Sequence, residues 1–225
     1  MYTAIIVEPR KHKALEFVIK NMLNCLSSEW EIVLFHGTKN VDYCKNIVDT
    51  MPRVRTVQLN VDNLDRHMYS ELFTTNLIYD HIPTEMFLVF QTDSMMFKQN
   101  AHLMDSFLEY DYVGAPWHVT EYPATMKCNF IGNGGFSLRR KSKMLEIIEK
   151  HKRHDIPEDL FFSTHYDDIT LHKPVYDKAL TFCMDEMFHE TVMATHNPWS
   201  NSNYDFVVQH YPEIKELRQL QEVEN

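Results

Sequence analysis

The chain is short of glycine, of cysteine and of positive charge, and each shortage removes a class of function. Its 225 residues include 5 glycines, and no Gly-x-Gly-x-x-Gly follows the first strand, where the sequence reads Glu8-Pro9-Arg10-Lys11; a dinucleotide site of that type is excluded. Gly132-Asn133-Gly134-Gly135 fails the same spacing, and no Lys-Ser/Thr pair follows a glycine-rich loop, which excludes a Walker-type phosphate cradle. Cys25, Cys44, Cys128 and Cys183 are widely spaced with no Cys-x-x-Cys pair, so neither a structural zinc site nor a redox dithiol is encoded. The formal net charge of −10 argues against a sequence-independent grip on nucleic acid or anionic membrane. The one basic run, Lys150-His151-Lys152-Arg153-His154, reads as a solvated face. No apolar run approaches the roughly 20 residues of a membrane span, and the start of the chain lacks the basic flank and long apolar core of a secretory signal. The expectation is a cytoplasmic product without direct membrane insertion.

What is present is enough for a core. At 225 residues and 44% hydrophobic, with scattered prolines and no repeat, the chain reads as one domain. Thr3 to Val7 reads as a first buried strand, followed by a helix with Leu15, Val18, Ile19, Met22 and Leu26 at helical spacing. Trp30 to Phe35 and Val54 to Leu59 are further strands, separated by a helical segment at Val41 to Asp49. Tyr69 to Tyr79 has the periodicity of a helix, stopped by Pro83. The run Met86-Phe87-Leu88-Val89-Phe90 is too short for an amphipathic helix and too continuous for a half-exposed strand, so it reads as a central strand covered on both faces. Strands alternating with helices predict an α/β fold, with a mostly parallel, Rossmann-like sheet and helices on both faces.

The polar stretch Gln91-Thr92-Asp93-Ser94 sits at the carboxyl end of that central strand, the edge where open α/β sheets bind ligands. Asp93 can hold a cation or a substrate hydroxyl there; the bland alternative is a turn or a helix cap. Further on, Leu103 to Glu109 predicts a short helix, Asp111 to Trp117 a strand ending in a turn, and Asn129 to Leu138 a glycine-interrupted extended segment whose backbone a ligand can approach closely. Lys143 to His151 reads as a helix. Pro157-Glu158-Asp159 suits a helix start, with proline first and carboxylates at the positive end of the dipole. Leu180 to His196 brings Asp185, Glu186, His189, Glu190 and His196 close in sequence. Glu186-x-x-His189 has the helical spacing of di-iron bundles, which need two such pairs and an all-helical frame. His196, beside Pro198 and Trp199, is a metal ligand or a packed core histidine; spacing alone favours packing.

Together these stretches resemble a domain family of giant viruses, fungi and protists that is of unknown function and similar to GT-A nucleotide-sugar glycosyltransferases. The resemblance runs from Glu8-x-Arg10 onward. It is carried by Gln91-Thr92-Asp93-Ser94, Tyr110-Asp111-Tyr112-Val113-Gly114-Ala115-Pro116-Trp117, Gly132-Asn133-Gly134-Gly135-Phe136-Ser137-Leu138-Arg139, Glu158-Asp159-Leu160-Phe161-Phe162 and His196-x-Pro198-Trp199, in that order. It implies a single GT-A-like domain over residues 1–225, with a nucleotide-binding half at 1–98, an acceptor and catalytic half at 99–204 and a C-terminal helix at 205–225. It also implies a nucleotide-sugar donor, a glycan or protein acceptor and a divalent metal, Mn²⁺ or Mg²⁺. A viral source would place the product in the host cytoplasm or the virion.

The site residues follow from the same resemblance. Asp93 and His196 would hold the metal, with Gln91 standing where GT-A enzymes carry the first acid of an Asp-x-Asp motif; an amide oxygen accepts but brings no charge. Asp159 resembles the catalytic base of inverting enzymes, with Glu158 orienting acceptor or sugar hydroxyls. Glu8, Arg10, His36 and Gly37 follow the first two strands, where the nucleotide binds. Gly134 and Gly135 would let the backbone approach donor sugar or acceptor, and Trp117 and Trp199 would stack on sugar faces. The implied reaction is hexosyl transfer, with inversion favoured over retention. A non-catalytic carbohydrate-binding or scaffold domain and a nucleotidyltransferase are the competing readings.

Overall fold

In the computed structural model of the chain, residues 1–119, 123–152 and 156–224 are described. The chain opens with β1 (Tyr2–Val7), β2 (Lys11–His12), α1 (Leu15–Cys25) and β3 (Trp30–His36). Helix α2 (Val41–Val48) leads to β4 (Val54–Gln58), and α3 (Arg66–Thr74) leads through a 3-10 turn at Tyr79–His81 to β5 (Met86–Phe90). There follow β6 (Ser94–Met96), a 3-10 helix at Lys98–Phe107, β7 (Tyr112–Pro116), a 3-10 helix at Pro123–Cys128, β8 (Ile131–Arg140), α4 (Lys141–His151) and α5 (Glu158–Ser163). The last third carries α6 (Tyr176–Leu180), β9 (Cys183–Met184), β10 (Ala194–His196), α7 (Tyr204–His210), α8 (Ile214–Gln219) and β11 (Val223–Glu224).

The central sheet has the order β4-β3-β1-β5-β8-β7. Strands β4, β3, β1 and β5 are parallel neighbours, and β8 is antiparallel to both β5 and β7. Strand β8 alone therefore runs against the rest, and the expected mostly parallel sheet is present. Alternate residues of β1 face opposite layers. Ala4 and Ile6 pack with Leu15, Val18 and Ile19 of α1, while Ile5 and Val7 pack with Phe73 of α3, Met144 of α4 and Phe161 of α5. A strand covered this way must be apolar at every position; in β5, Met86 to Phe90 are all buried.

Two irregular features position the site. A small sheet of order β6-β10-β9 places Ser94 opposite His196 and Met184 beside Thr195, so Asp93, Asp185 and His196 arrive at one edge from distant parts of the chain. In the β7–β8 ladder, Gly114 pairs with Ser137 but Ala115 pairs with Asn133. The residues between, Gly134, Gly135 and Phe136, bulge out of that ladder, and a bulge re-aims the strand that carries it.

Several local expectations differ from the structure. The helix expected at Tyr69 to Tyr79 runs instead over Arg66–Thr74, because the Asp65 side chain caps it by accepting from Met68 N at 2.8 Å. The helix expected at Leu103 to Glu109 is the 3-10 helix Lys98–Phe107. Glu186 and His189 lie in no helix, so their spacing creates no shared face. The segment expected to be one C-terminal helix holds α7, α8 and β11, the last paired with β2. Of the basic run, Lys150 pairs with Glu146 and His151 with Asp168 at a solvated face, while Arg153 and His154 lie outside the described residues. Among the described residues no helix is long and apolar enough to cross a membrane.

Candidate active site

The carboxyl edge of the sheet borders a cleft of about 1000 Å³ that both Asp93 and Asp159 line. Asp93 ends the short turn between β5 and β6, and its backbone carbonyl accepts from Asn197 N at 2.9 Å, which ties the segment after β10 to the edge of the central sheet. His196 Nε2 lies 3.4 Å from Asp93 Oδ1 and 3.2 Å from Gln91 Oε1. On the far side of the ring, His196 Nδ1 is 3.2 Å from Asp185 Oδ2, which also accepts from Asn133 Nδ2 at 2.7 Å; Ser200 Oγ donates to the other oxygen at 2.8 Å. Burial by itself would lower the His196 pKa, but the flanking carboxylates Asp93 and Asp185 outweigh it and raise the imidazole to about 9.

Asp93 Oδ1 is the one buried side-chain oxygen without a hydrogen-bond partner among the described residues. A buried acceptor without a hydrogen bond is costly; here His196 Nε2, 3.4 Å away, is an ionic partner beyond good hydrogen-bond distance. Neighbouring ligands of an octahedral Mg²⁺-type ion, at about 2.1 Å from the metal, stand roughly 3 Å apart. The distances from His196 Nε2 to Asp93 Oδ1 and to Gln91 Oε1 are close to this spacing. Among the described residues no group of three or more His, Cys, Asp or Glu side chains is arranged to hold a metal ion. Asp93, His196 and the Gln91 amide oxygen would hold a cation only with water and substrate phosphate completing its shell.

The opposite wall is built by α5. Pro157 stands in extended conformation immediately before Glu158, so both acids occupy the first turn. Glu158 is anchored by Arg139 of β8, with Nη1 to Oε2 at 2.6 Å and Nη2 to Oε1 at 3.1 Å. The Arg139 side chain is 0% exposed and its guanidinium stacks within 5.0 Å of the Phe73 ring and 5.3 Å of the Tyr112 ring. A bidentate pair in an aromatic box is a rigid support. Asp159 beside it accepts from Leu160 N at 2.8 Å and from Gly134 N at 3.3 Å. Burial, aided by the Glu158 carboxylate, lifts the Asp159 pKa to about 6, the range in which a carboxylate works as a base near neutral pH.

The bulge of β8 lies between the two walls. A Cβ on Gly134 would stand 2.4 Å from Glu158 Oε1, and one on Gly135 would stand 2.1 Å from His196 Nε2. Both glycines line the cleft, and the close approach they permit is also to the site's own side chains.

Of the other expected site residues, Glu8, Arg10, Gln91 and Trp117 line the cleft. Arg10 is held by a 2.8 Å pair with Glu8 while its side chain stays 44% exposed. Trp117 is 8% exposed, so it offers the cleft only a small part of its ring. His36, Gly37 and Trp199 are not among the lining residues. The His36 ring bonds the Gly37 carbonyl, Gly37 packs on Pro9 and Val61, and the Trp199 ring lies under the Arg218 guanidinium at 4.7 Å. Those three positions are structural in this geometry. Asp185, Asn133, Arg139 and Tyr69 carry the site without having been singled out for a role. Asp185 had a local signal, an acid directly after the apolar Phe182-Cys183-Met184, and Asn133 and Arg139 lie in the Gly132–Arg139 stretch that carries the resemblance; Tyr69 had none.

Residues 53–202 match the family described as "Protein of unknown function (DUF5672)". The chain belongs to this DUF5672 family. No curated protein matches the chain. Among solved structures, this DUF5672 chain is similar to the galactosyltransferase LgtC in complex with donor and acceptor sugar analogs, at 12% identity and a TM-score of 0.58, covering 99% of this chain and 98% of that one. It is also similar to the inositol-1-phosphate CTP transferase from T. maritima, at 13% identity and a TM-score of 0.53, covering 96% and 97%. At such identities the likeness speaks for the fold alone: a single-domain, GT-A-like α/β architecture.

Proposed function

We propose that this DUF5672 protein is a nucleotide-sugar-dependent glycosyltransferase that acts with inversion. The observation that carries the reading is the presence, in one cleft, of a buried Asp93 oxygen that lacks a hydrogen bond and of a carboxyl on Asp159 whose pKa is raised to about 6. Breaking the bond between an anomeric carbon and a diphosphate needs charge neutralisation on the departing side and proton removal on the entering side. The cleft offers a group for each.

On the entering side, the ionised Asp159 accepts the proton of an acceptor hydroxyl as its oxygen bonds to the anomeric carbon. The bond to the diphosphate breaks on the opposite face, and its electron pair leaves with the nucleoside diphosphate. The two backbone N–H groups on Asp159 and the fixed Glu158–Arg139 pair hold the base in place while the proton moves. On the leaving side, Arg10 presents a half-exposed guanidinium to the cleft, and Arg66 and His67 at the start of α3 also line it. Asp93 and His196, with Gln91 beside them, would hold Mn²⁺ or Mg²⁺, which supplies Lewis-acid neutralisation of the diphosphate charge. The donor is a nucleotide-sugar and the acceptor a hydroxyl of a glycan or protein.

The test is a panel of UDP- and GDP-sugars with Mn²⁺, scored first by thermal shift and then by product. A ligand that binds only the native state raises apparent stability by mass action. Release of a nucleoside diphosphate with glycosyl transfer supports the proposal, and release of pyrophosphate would point to nucleotidyl transfer instead. Wild-type turnover no greater than that of Asp93→Ala and Asp159→Asn would sink catalysis and leave a carbohydrate-binding scaffold.

A further inference from the structure

The floor of the cleft contains a hydrogen-bonded chain in which one donor has no use inside the protein. It begins at Asp185, whose Oδ2 meets His196 Nδ1 at 3.2 Å, and passes through His196 Nε2 to Gln91 Oε1, also at 3.2 Å. With its oxygen so engaged, the Gln91 amide turns its NH₂ group to Tyr69 and donates to the phenol oxygen at 3.0 Å. An amide nitrogen only donates and a phenol oxygen can both accept and donate, so the direction of the chain makes Tyr69 an acceptor here. Its own hydrogen has no acceptor among the described residues, and Tyr69 lines the cleft.

The position of that hydrogen is informative. Tyr69 is joined through Gln91 to the edge that carries Asp93. Its neighbour Ser70 accepts from Glu158 N at 3.4 Å, which places this turn of α3 against the first turn of α5. Tyr69 therefore lies between the group that faces the leaving diphosphate and the base that faces the acceptor, and the unit that must occupy this interval is the sugar in transit. The groups offered there by Tyr69, Ser70 and Gln91 are uncharged hydrogen-bonding groups, and the charges acting on Tyr69 are Glu158, its partner Arg139 and Asp93.

We infer that Tyr69 is a specificity residue for the donor, giving a hydrogen bond to a hydroxyl of the hexosyl unit and leaving the nucleotide to other residues. This rests on the glycosyltransferase reading above. The Tyr69 ring packs on Phe73 with centroids 5.1 Å apart, a contact that phenylalanine preserves, so Tyr69→Phe removes the hydroxyl alone.

The experiment is calorimetric titration of wild type and Tyr69→Phe, in Mn²⁺, with UDP-glucose, UDP-galactose, UDP-N-acetylglucosamine and GDP-mannose. UDP and GDP serve as sugar-free controls. The expected result is that Tyr69→Phe weakens the preferred neutral nucleotide-sugar roughly 3- to 10-fold, the size of one neutral hydrogen bond. The matching bare nucleotide should change less than twofold. A second arm keeps the wild-type protein and varies the ligand: among monodeoxy forms of the preferred sugar, one should bind wild type and Tyr69→Phe equally. Equal weakening of sugar-bearing and bare nucleotides, or no weakening of either, overturns the assignment of Tyr69 alone. Failure of every nucleotide and nucleotide-sugar to bind wild type overturns the function reading beneath it.

Discussion

Replacing Asp159 by asparagine should abolish turnover and, above neutral pH, stabilise the fold. The carboxyl has its pKa lifted from 3.8 to about 6 by burial first and by Glu158 second. The folded protein therefore binds this proton more tightly than the unfolded chain does. A carboxylate displaced upward contributes most below its unfolded value, and stability falls as pH rises through the interval from 3.8 to about 6. At about 1.4 kcal/mol per pH unit, ionising this group in the native state costs roughly 3 kcal/mol before screening by water in the open cleft. Asparagine removes that cost but keeps only one of the two backbone donors, Leu160 N or Gly134 N, since its amide nitrogen cannot accept. Losing that hydrogen bond costs about 1 kcal/mol. The net expectation at pH 8 is a gain of about 1–2 kcal/mol, or a rise in Tm on the order of 5 °C. The gain should fall close to zero at pH 3.5, where the aspartate is protonated in the native state and mostly so in the unfolded one. Urea unfolding of wild type and variant across pH 3.5–8.5 measures this directly. In the same series the wild-type kcat/KM should rise with pH through about 6 and then level, and the variant should lose on the order of 10²–10⁴ in rate. An Asp159→Asn variant less stable than wild type at pH 8, or a wild-type rate with no acid limb between about pH 5 and 7, would refute the assignment of Asp159 as a strained base.

Arg139→Met should destabilise by roughly 3–5 kcal/mol and lower Tm on the order of 10 °C, because it leaves Glu158 buried without its partner; thermal unfolding checks it. Asp93→Ala should remove the Mn²⁺-dependent part of the nucleotide thermal shift and leave the ligand-free midpoint within a few degrees of wild type, as read by differential scanning fluorimetry. Asp185→Asn should weaken Mn²⁺ binding roughly 10- to 100-fold, the usual cost of losing a carboxylate behind a metal-binding histidine, as read by paramagnetic resonance of free Mn²⁺. Gly135→Ala should impair metal binding in the same assay, since its Cβ would stand 2.1 Å from His196 Nε2.

How far the fold was legible can be traced through single elements. The run Met86 to Phe90 declares itself because a strand with helices on both faces has no solvent side to vary, and its polar continuation places Asp93 at the binding edge. Helix α1 declares itself by a buried stripe at Leu15, Val18, Ile19 and Met22. Asp159 is legible because Pro157 and two acids mark a helix start. What the sequence conceals is non-local. The partnership of Asp93 with His196 depends on β6 finding β10 across about a hundred residues, and no periodicity in a three-residue strand announces its mate. Tyr69 matters through one bond to Gln91, and Arg139 through one pair with Glu158. Each looks locally like any residue of a helix or strand. The reverse error has the same source: Trp199 and His36 carry side chains suited to a ligand, but tertiary packing turns them to Arg218 and to the backbone.

The bulge of β8 explains why the two halves of the site can coexist. Successive residues of a strand point to opposite faces, and here Gly134 addresses the first turn of α5 while Gly135 addresses the His196 ring. Groups from the two sides of the sheet thus meet over the end of one strand. Asn133 links the same bulge to the other wall, donating to Asp185 through Nδ2 and accepting from Gly135 N through Oδ1. Strand β8 is also the one that reverses direction in the sheet and carries Arg139, so the support of Glu158 and the spacing of His196 are set by a single register with β5, in which Phe90 opposes Phe136 and Phe87 opposes Arg139. A slip of one residue would turn Arg139 to the other layer and strand Glu158 without its partner. Pairing with the fully buried β5 opposes such a slip, because it would also exchange Phe136 and Leu138 between the two cores. The geometry of the proposed chemistry is in this way enforced by the same apolar alternation that forms the fold.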